Sequence, residues 1–200
     1  MMPPTHSSLS AMACVSAMQK CIRRGMEVEA MEFACELMHT SKAYFSMVCK
    51  RLEIISHEDI DTGANPLVVV FVATSVAQAQ RWYDPVKIGA SRMALGNAIR
   101  LMCRAVKSRE GDHFGIAIGF ANEFEGKVPV IPDWAKDGHT YEGKKMGRGL
   151  AYFREHSAQL VPPVAKDRYE DEAYRLLELT MKQPKRKSVG AAVVEEDLFE

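Results

Sequence analysis

The sequence predicts an all-α protein, and three observations carry that expectation. Apolar residues return every three or four positions through successive stretches, which is the helical period. Helix stops and starts separate those stretches: Gly25, Thr40 or Ser41, Asn65-Pro66 and Ser108. Only residues 67–73 are β-branched and continuously apolar enough to compete as a buried strand. They run on into an Ala-rich segment with no turn signal, which favours one long buried helix.

Taken in order, residues 8–24 form the first helix, with Leu9, Met12, Ala13, Met18 and Ile22 recurring and Gly25 as its stop. Residues 28–38 form the second, with Met31, Ala34, Cys35 and Met38 on one stripe. Thr40 or Ser41 caps a third, in which Tyr44, Phe45, Val48, Leu52 and Ile55 alternate with Lys42, Lys50 and Arg51. The acidic group 58–61 and Gly63 close it. Asn65-Pro66 opens the fourth helix, with proline at its first position. Residues 91–107 make the fifth. Ser108 caps a sixth over 109–124, whose Gly111, Gly115 and Gly119 at four-residue spacing predict close helix packing, although three glycines lower its intrinsic stability. Pro129 and Pro132 then break the chain. Residues 148–160 are helical, Pro162-Pro163 stops them, and residues 167–182 form a last amphipathic helix. The expected organisation is a disordered N-terminus over 1–7, a single helical bundle of about seven to eight helices over 8–182, and a flexible tail over 183–200.

Two hundred residues, 47% hydrophobic and 26% charged, suit one globular domain with a real core. The formal net charge is zero, so no global field draws the chain to nucleic acid or membrane, and any nucleic-acid contact must be a local patch. Cys14, Cys21, Cys35, Cys49 and Cys103 form no CxxC pair. They read as reduced thiols serving as small apolar side chains, which predicts a cytoplasmic protein without zinc or another metal. The start MMPPTHSS has neither the charged flank nor the apolar run of a signal peptide. The longest apolar run, 66–73, is far too short to span a bilayer, so no membrane partner is expected.

Most of the chemistry sits in residues 131–153, IPDWAKDGHTYEGKKMGRGLAYF. Glycines permit close backbone approach there, and Lys144, Lys145 and Arg148 supply the usual side-chain donors for phosphate. Residues 138–145, GHTYEGKK, fall one residue short of the phosphate loop GxxxxGK[ST]. That loop needs a hydroxyl where Lys145 stands and a buried strand before its first glycine, so nucleoside-triphosphate hydrolysis is not expected and no cofactor is implied. Nucleic-acid phosphate binding without hydrolysis competes with a solvated glycine loop. Lys107 and Arg109, flanking the Ser108 turn with Arg104, form a second and weaker phosphate candidate. Asp137 and His139 could make a carboxylate-oriented imidazole, a general base or one edge of a metal site. A metal would need a further ligand such as His113 or His156, and no nucleophile or second acid is identifiable. The pairs Glu58-Asp59 and Glu195-Glu196 read as solvated or helix-end charges, and Lys20, Arg23 and Arg24 as cations favoured by a helix C-terminus. The tail ends in an apolar Leu198-Phe199 pair, a feature that docks in partner pockets when it sits on a mobile segment.

Three stretches carry a family likeness: SAMQKCIRRG (16–25), KRLEIISHEDI (50–60) and AVKSR (105–109). They resemble the C-terminal helical region of clamp-loader-like AAA+ ATPases, the replication-associated recombination protein A or maintenance of genome stability protein A group. Stand-alone phage-type relatives are more similar still, with a segment like the DGHT, MGRG and YF residues of this chain. The resemblance spans roughly residues 14–160. It implies an all-helical, oligomerising region in DNA replication, repair or recombination. ATP hydrolysis does not carry over, because the ATPase domain, a valid phosphate loop and the acidic magnesium motif are missing from this sequence. Residues 195–199, EEDLF, look like the bacterial sliding-clamp-binding pentapeptide Gln-x-Asp/Ser-Leu-Phe. Leu198 and Phe199 match its pocket-filling positions and Asp197 the middle one, while Glu195 stands in place of glutamine. The combined expectation is a non-enzymatic replication or repair accessory factor that self-associates, contacts DNA weakly and docks a sliding clamp or other replisome protein. A small enzyme using Asp137 and His139 on nucleic acid or nucleotide is the alternative, and a purely structural oligomeric module is the second.

Overall fold

A computed structural model of the chain describes residues 3–182. Those residues are all-α, with no strand among them. They divide into two compact units, Met1–Lys127 and Val128–Glu200. The division between the units falls just before Pro129 and Pro132, where the sequence breaks its run of helices.

The first unit is built from α1 (Ala11–Arg23), α2 (Glu27–Thr40), α3 (Lys42–Glu58), α4 (Pro66–Arg81), α5 (Gly89–Arg104) and α6 (Glu110–Glu125). α1 packs on α2, α4 on α5, and α3 runs against both α2 and α4. Their shared core includes Met18, Ile22, Leu37, Phe45, Leu52 and Ile99, all fully buried. Local chemistry sets the boundaries. The Ser41 hydroxyl accepts the Tyr44 N–H at the start of α3, in extended cap geometry. Gly25 takes φ +74° after α1, as the left-handed stop requires.

Four expectations change. Residues 3–7 are fastened down: Thr5 is buried, the His6 amide donates to the Thr40 hydroxyl, the Ser7 hydroxyl to Glu36, and the Tyr44 hydroxyl to the Pro3 carbonyl. The buried stripe of α1 runs through Cys14, Val15, Met18 and Ile22, so Leu9 and Met12 lie exposed one register away. α4 is one helix from Pro66 onward, as the missing turn signal implies. It buries only the Val68, Val72, Val76 and Ala79 face, however, and leaves Leu67 and Val70 in solvent. α6 touches α3 and buries none of its own residues. Gly115 and Gly119 face open space, so the packing that their spacing predicts has no counterpart inside the described chain.

The second unit opens with a 3-10 turn at Asp133–Ala135. It continues through α7 (Tyr141–Lys145) and α8 (Leu150–Tyr152), which runs on as π-helix over Phe153–Ser157, to α9 (Glu170–Lys182). Of its described residues only Asp137 and Gly143 are buried, so hydrogen bonds hold this unit more than apolar packing does. No helix among the described residues is long and apolar enough to cross a membrane.

Candidate functional site

The glycine-rich stretch folds into a knot of backbone around Asp137. Oδ1 of Asp137 accepts the His139 amide at 2.9 Å, and Oδ2 lies 3.0 Å from His139 Nδ1. The Thr140 hydroxyl donates to the Asp137 carbonyl at 3.0 Å and accepts the Gly143 amide at 3.0 Å, which makes Thr140 the N-cap of α7. A Cβ on Gly143 would stand 1.8 Å from the Asp137 carbonyl oxygen, and one on Gly138 would stand 2.8 Å from that of Arg148. Close backbone approach therefore explains both glycines. The hydrogen bond from His139 holds the Asp137 carboxyl below the usual Asp value. The His139 ring rests edge-on against Phe153, with its side chain 76% exposed.

Arg148 ties the two ends of this segment together. Nη2 meets both carboxylate oxygens of Asp133 at 2.8 Å, and Nη1 donates to the carbonyls of Asp133 and Lys136 at 2.9 and 3.0 Å. The guanidinium also lies 4.2 Å over the Tyr152 ring, whose hydroxyl donates to Asp133. These bonds, that of Arg148 first, keep the Asp133 carboxyl below its usual range.

The predicted phosphate ligands accordingly separate into two groups. Lys144 and Lys145 are exposed and make no ion pair among the described residues. Arg148 is committed to Asp133. Lys107 donates from Nζ to the carbonyls of Met102, Cys103 and Ala105 at 2.7, 2.8 and 2.7 Å, which ends α5, and desolvation lowers its pKa. Arg109 is bound to Asp112 and faces Glu58 and Asp59 at 3.6 and 3.7 Å. Sequence reasoning placed Arg148, Lys107 and Arg109 on phosphate because charge at a turn reads the same whether it faces solvent or a carbonyl. His156 stacks beside Tyr152, and among the described residues no three His, Cys, Asp or Glu side chains gather as metal ligands would. The segment before Gly138 is a 3-10 turn, not the strand of a phosphate loop. Glu195, Asp197, Leu198 and Phe199 lie outside the described residues.

A second constellation escaped the sequence. Asp59, fully buried at the C-cap of α3, meets Arg23 Nε at 2.8 Å and accepts from Arg23 Nη2 at 3.2 Å and Gln19 Nε2 at 2.9 Å. Arg109 Nε faces the same carboxylate. The Asp59 carbonyl accepts the Ser108 amide at 3.2 Å, and the Asp61 amide donates to the Val106 carbonyl at 3.0 Å. Asp59 and Arg23 are thus neither solvated charges nor simple dipole partners, which corrects the sequence expectation. Residues 16–25, 50–60 and 105–109 meet at this one carboxylate. A signal did exist: a carboxylate at a helix C-terminus opposes the helix dipole and calls for cations. Which cations answered could not be read locally.

No family model matches the chain, and no curated protein matches it.

Proposed function

We propose that this chain is a DNA replication or repair accessory factor that works by binding rather than catalysis. It self-associates through its helical part, contacts nucleic-acid phosphates through the second unit, and docks a partner such as a sliding clamp through Leu198 and Phe199. The observation that supports the phosphate contact best is the Lys144-Lys145 pair. It stands exposed on α7 and makes no ion pair among the described residues, carried by a turn that Asp137, Thr140 and Gly143 tie together by hydrogen bonds. Two phosphate contacts of this kind give weak, sequence-tolerant and salt-sensitive binding. Lys144→Ala with Lys145→Ala is expected to flatten the slope of log affinity against log salt by roughly 1.4–1.8, at about 0.7–0.9 per lost contact. The melting temperature should stay put. An unchanged slope would remove the nucleic-acid reading.

The Asp137–His139 pair favours a second reading, a small enzyme on nucleic acid or nucleotide, because a carboxylate orients an otherwise exposed imidazole. Nuclease and phosphatase assays of the wild type and His139→Ala, with and without divalent metal, separate the two. In the binding reading His139→Ala lowers stability and no turnover is seen; in the enzymatic reading turnover is seen and the substitution abolishes it.

A further inference from the structure

α6 is a helix without a core. Phe114, Ile116, Ile118, Phe120 and Phe124 are 47–71% exposed, and none of the sixteen residues from Glu110 to Glu125 is buried. A helix apolar over so wide an arc is one that normally lies inside a packed structure. Ile116, Phe120 and Phe124 follow at four-residue steps and so form one stripe, with the Phe120 and Phe124 rings 5.1 Å apart. That is the anchor pattern of a helix that seats in a groove.

The same unit carries such a groove, and its own α6 does not fill it. Between α2 and α5 lies a cavity of about 660 Å³ floored by Val28, Met31, Cys35, Met93 and Gly96. Val28 and Met93 are 67% and 62% exposed. Arg92 and Arg100 stand at its edge, beside Arg104, against Glu27 and Glu32. The lining itself is balanced, Arg92 and Arg100 against Glu27 and Glu32, and Arg104, which shares Glu27 with Arg100, gives the edge a surplus of one cation.

Charge selects the occupant. α6 holds Glu110, Asp112, Glu123 and Glu125 and no lysine or arginine. Pairing two α6 helices with each other would set carboxylate against carboxylate at both ends. Seating α6 against the arginine-edged groove sets opposite charges together. The exposed side chains of Ile116, Phe120 and Phe124 offer roughly 300 Å² of apolar contact, under half of the roughly 800 Å² per partner of a stable interface, so the flanking charges form part of the contact. We propose that α6 of one copy seats its Ile116–Phe120–Phe124 stripe in the α2–α5 groove of a second copy. The contact is head-to-tail, so a pair of copies retains one free helix and one free groove until a ring closes or the assembly extends. This deepens the proposed reading by naming the surface of self-association, and it rests on that reading for the existence of an assembly.

The test uses the full chain in two variants with substitutions at exposed positions only: Phe120→Glu with Phe124→Glu in the helix, and Val28→Glu with Met93→Glu in the groove. Light scattering should give a multimer for the wild type and a monomer for each variant, with helical circular dichroism retained. Mixing the variants is the decisive step. The groove variant keeps an intact helix and the helix variant an intact groove, so the mixture should form a dimer of twice the monomer mass and stop there. A wild type that is monomeric at every concentration overturns the proposal. So does a variant that keeps the wild-type mass, as does a mixture that stays monomeric. DNA retention by the same variants at low salt reports separately on the nucleic-acid reading, through Lys144 and Lys145.

Discussion

Asp59 and Arg23 are not equivalent halves of their ion pair. The carboxylate is fully buried, whereas about a third of the arginine side chain reaches solvent. Removing Asp59 frees guanidinium groups that can rehydrate; removing Arg23 strands a buried charge with Gln19 and the more distant Arg109. Breaking a buried pair costs about 3–5 kcal/mol, and this asymmetry puts Asp59→Ala at the low end and Arg23→Ala at the high end. Denaturant titration of both variants checks the order, and a larger loss for Asp59→Ala would mean that the pocket tolerates water. Asp137 carries a pH dependence of determinate sign. Its folded pKa lies below the ordinary 3.8 because His139 hydrogen-bonds it. The stability it adds is therefore present above about pH 4 and is lost as the pH falls through the folded value. His139→Ala should shrink that acid-side loss in the second unit, followed by amide chemical shifts of residues 137–149. Burial drives the Cys49 thiol up to about 12 and Cys103 up to about 11, so neither should react with thiol reagents before the first unit opens.

Helix existence was legible at the level of single elements because period, caps and breakers are local. Ser41, Gly25 and Asn65-Pro66 each mark a boundary within a residue or two of its place. Which face a helix buries was less legible. Leu9 and Met12 are as apolar as Met18, but the core lies on the Cys14 side, and only the neighbours α2 and α3 decide that. Sequence cannot tell whether the same chain supplies the partner, so α4 reads as buried and α6 as closely packed, although much of α4 is exposed and no residue of α6 is buried. Convergence on Asp59 needs three segments to meet and has no local signature beyond an acid at a helix end. The glycines of the 131–153 stretch were legible as close approaches, and Gly143 makes that testable. A Cβ 1.8 Å from a carbonyl oxygen cannot be accommodated without moving backbone. Gly143→Ala should therefore cost at least the roughly 1–3 kcal/mol of overpacking and release Thr140 from its cap. Gly149→Ala, with open space around it, should leave the turn intact.

Across the described chain, the two units rest on different physics. Every buried hydrophobic residue lies between Ala11 and Cys103, in the first unit, and none lies in the second. Ordering backbone opposes folding by roughly 1–2 kcal/mol per residue, and burial of large apolar side chains, about 1.5–3 kcal/mol each, is what offsets it. The first unit has that offset. The second relies on exposed or half-exposed ion pairs such as Arg154 with Glu170 and Asp171, which solvent screens and which contribute little. A chain ending at Lys127 should therefore keep a cooperative thermal transition in calorimetry, while residues 128–182 alone should show none. If α6 seats in a second copy, the transition of the shortened chain should also rise with protein concentration, because association stabilises only the folded form. Phe120→Glu with Phe124→Glu should abolish that rise and leave the cooperativity. A shortened chain that melts without cooperativity would mean that the core of α1–α5 is insufficient by itself.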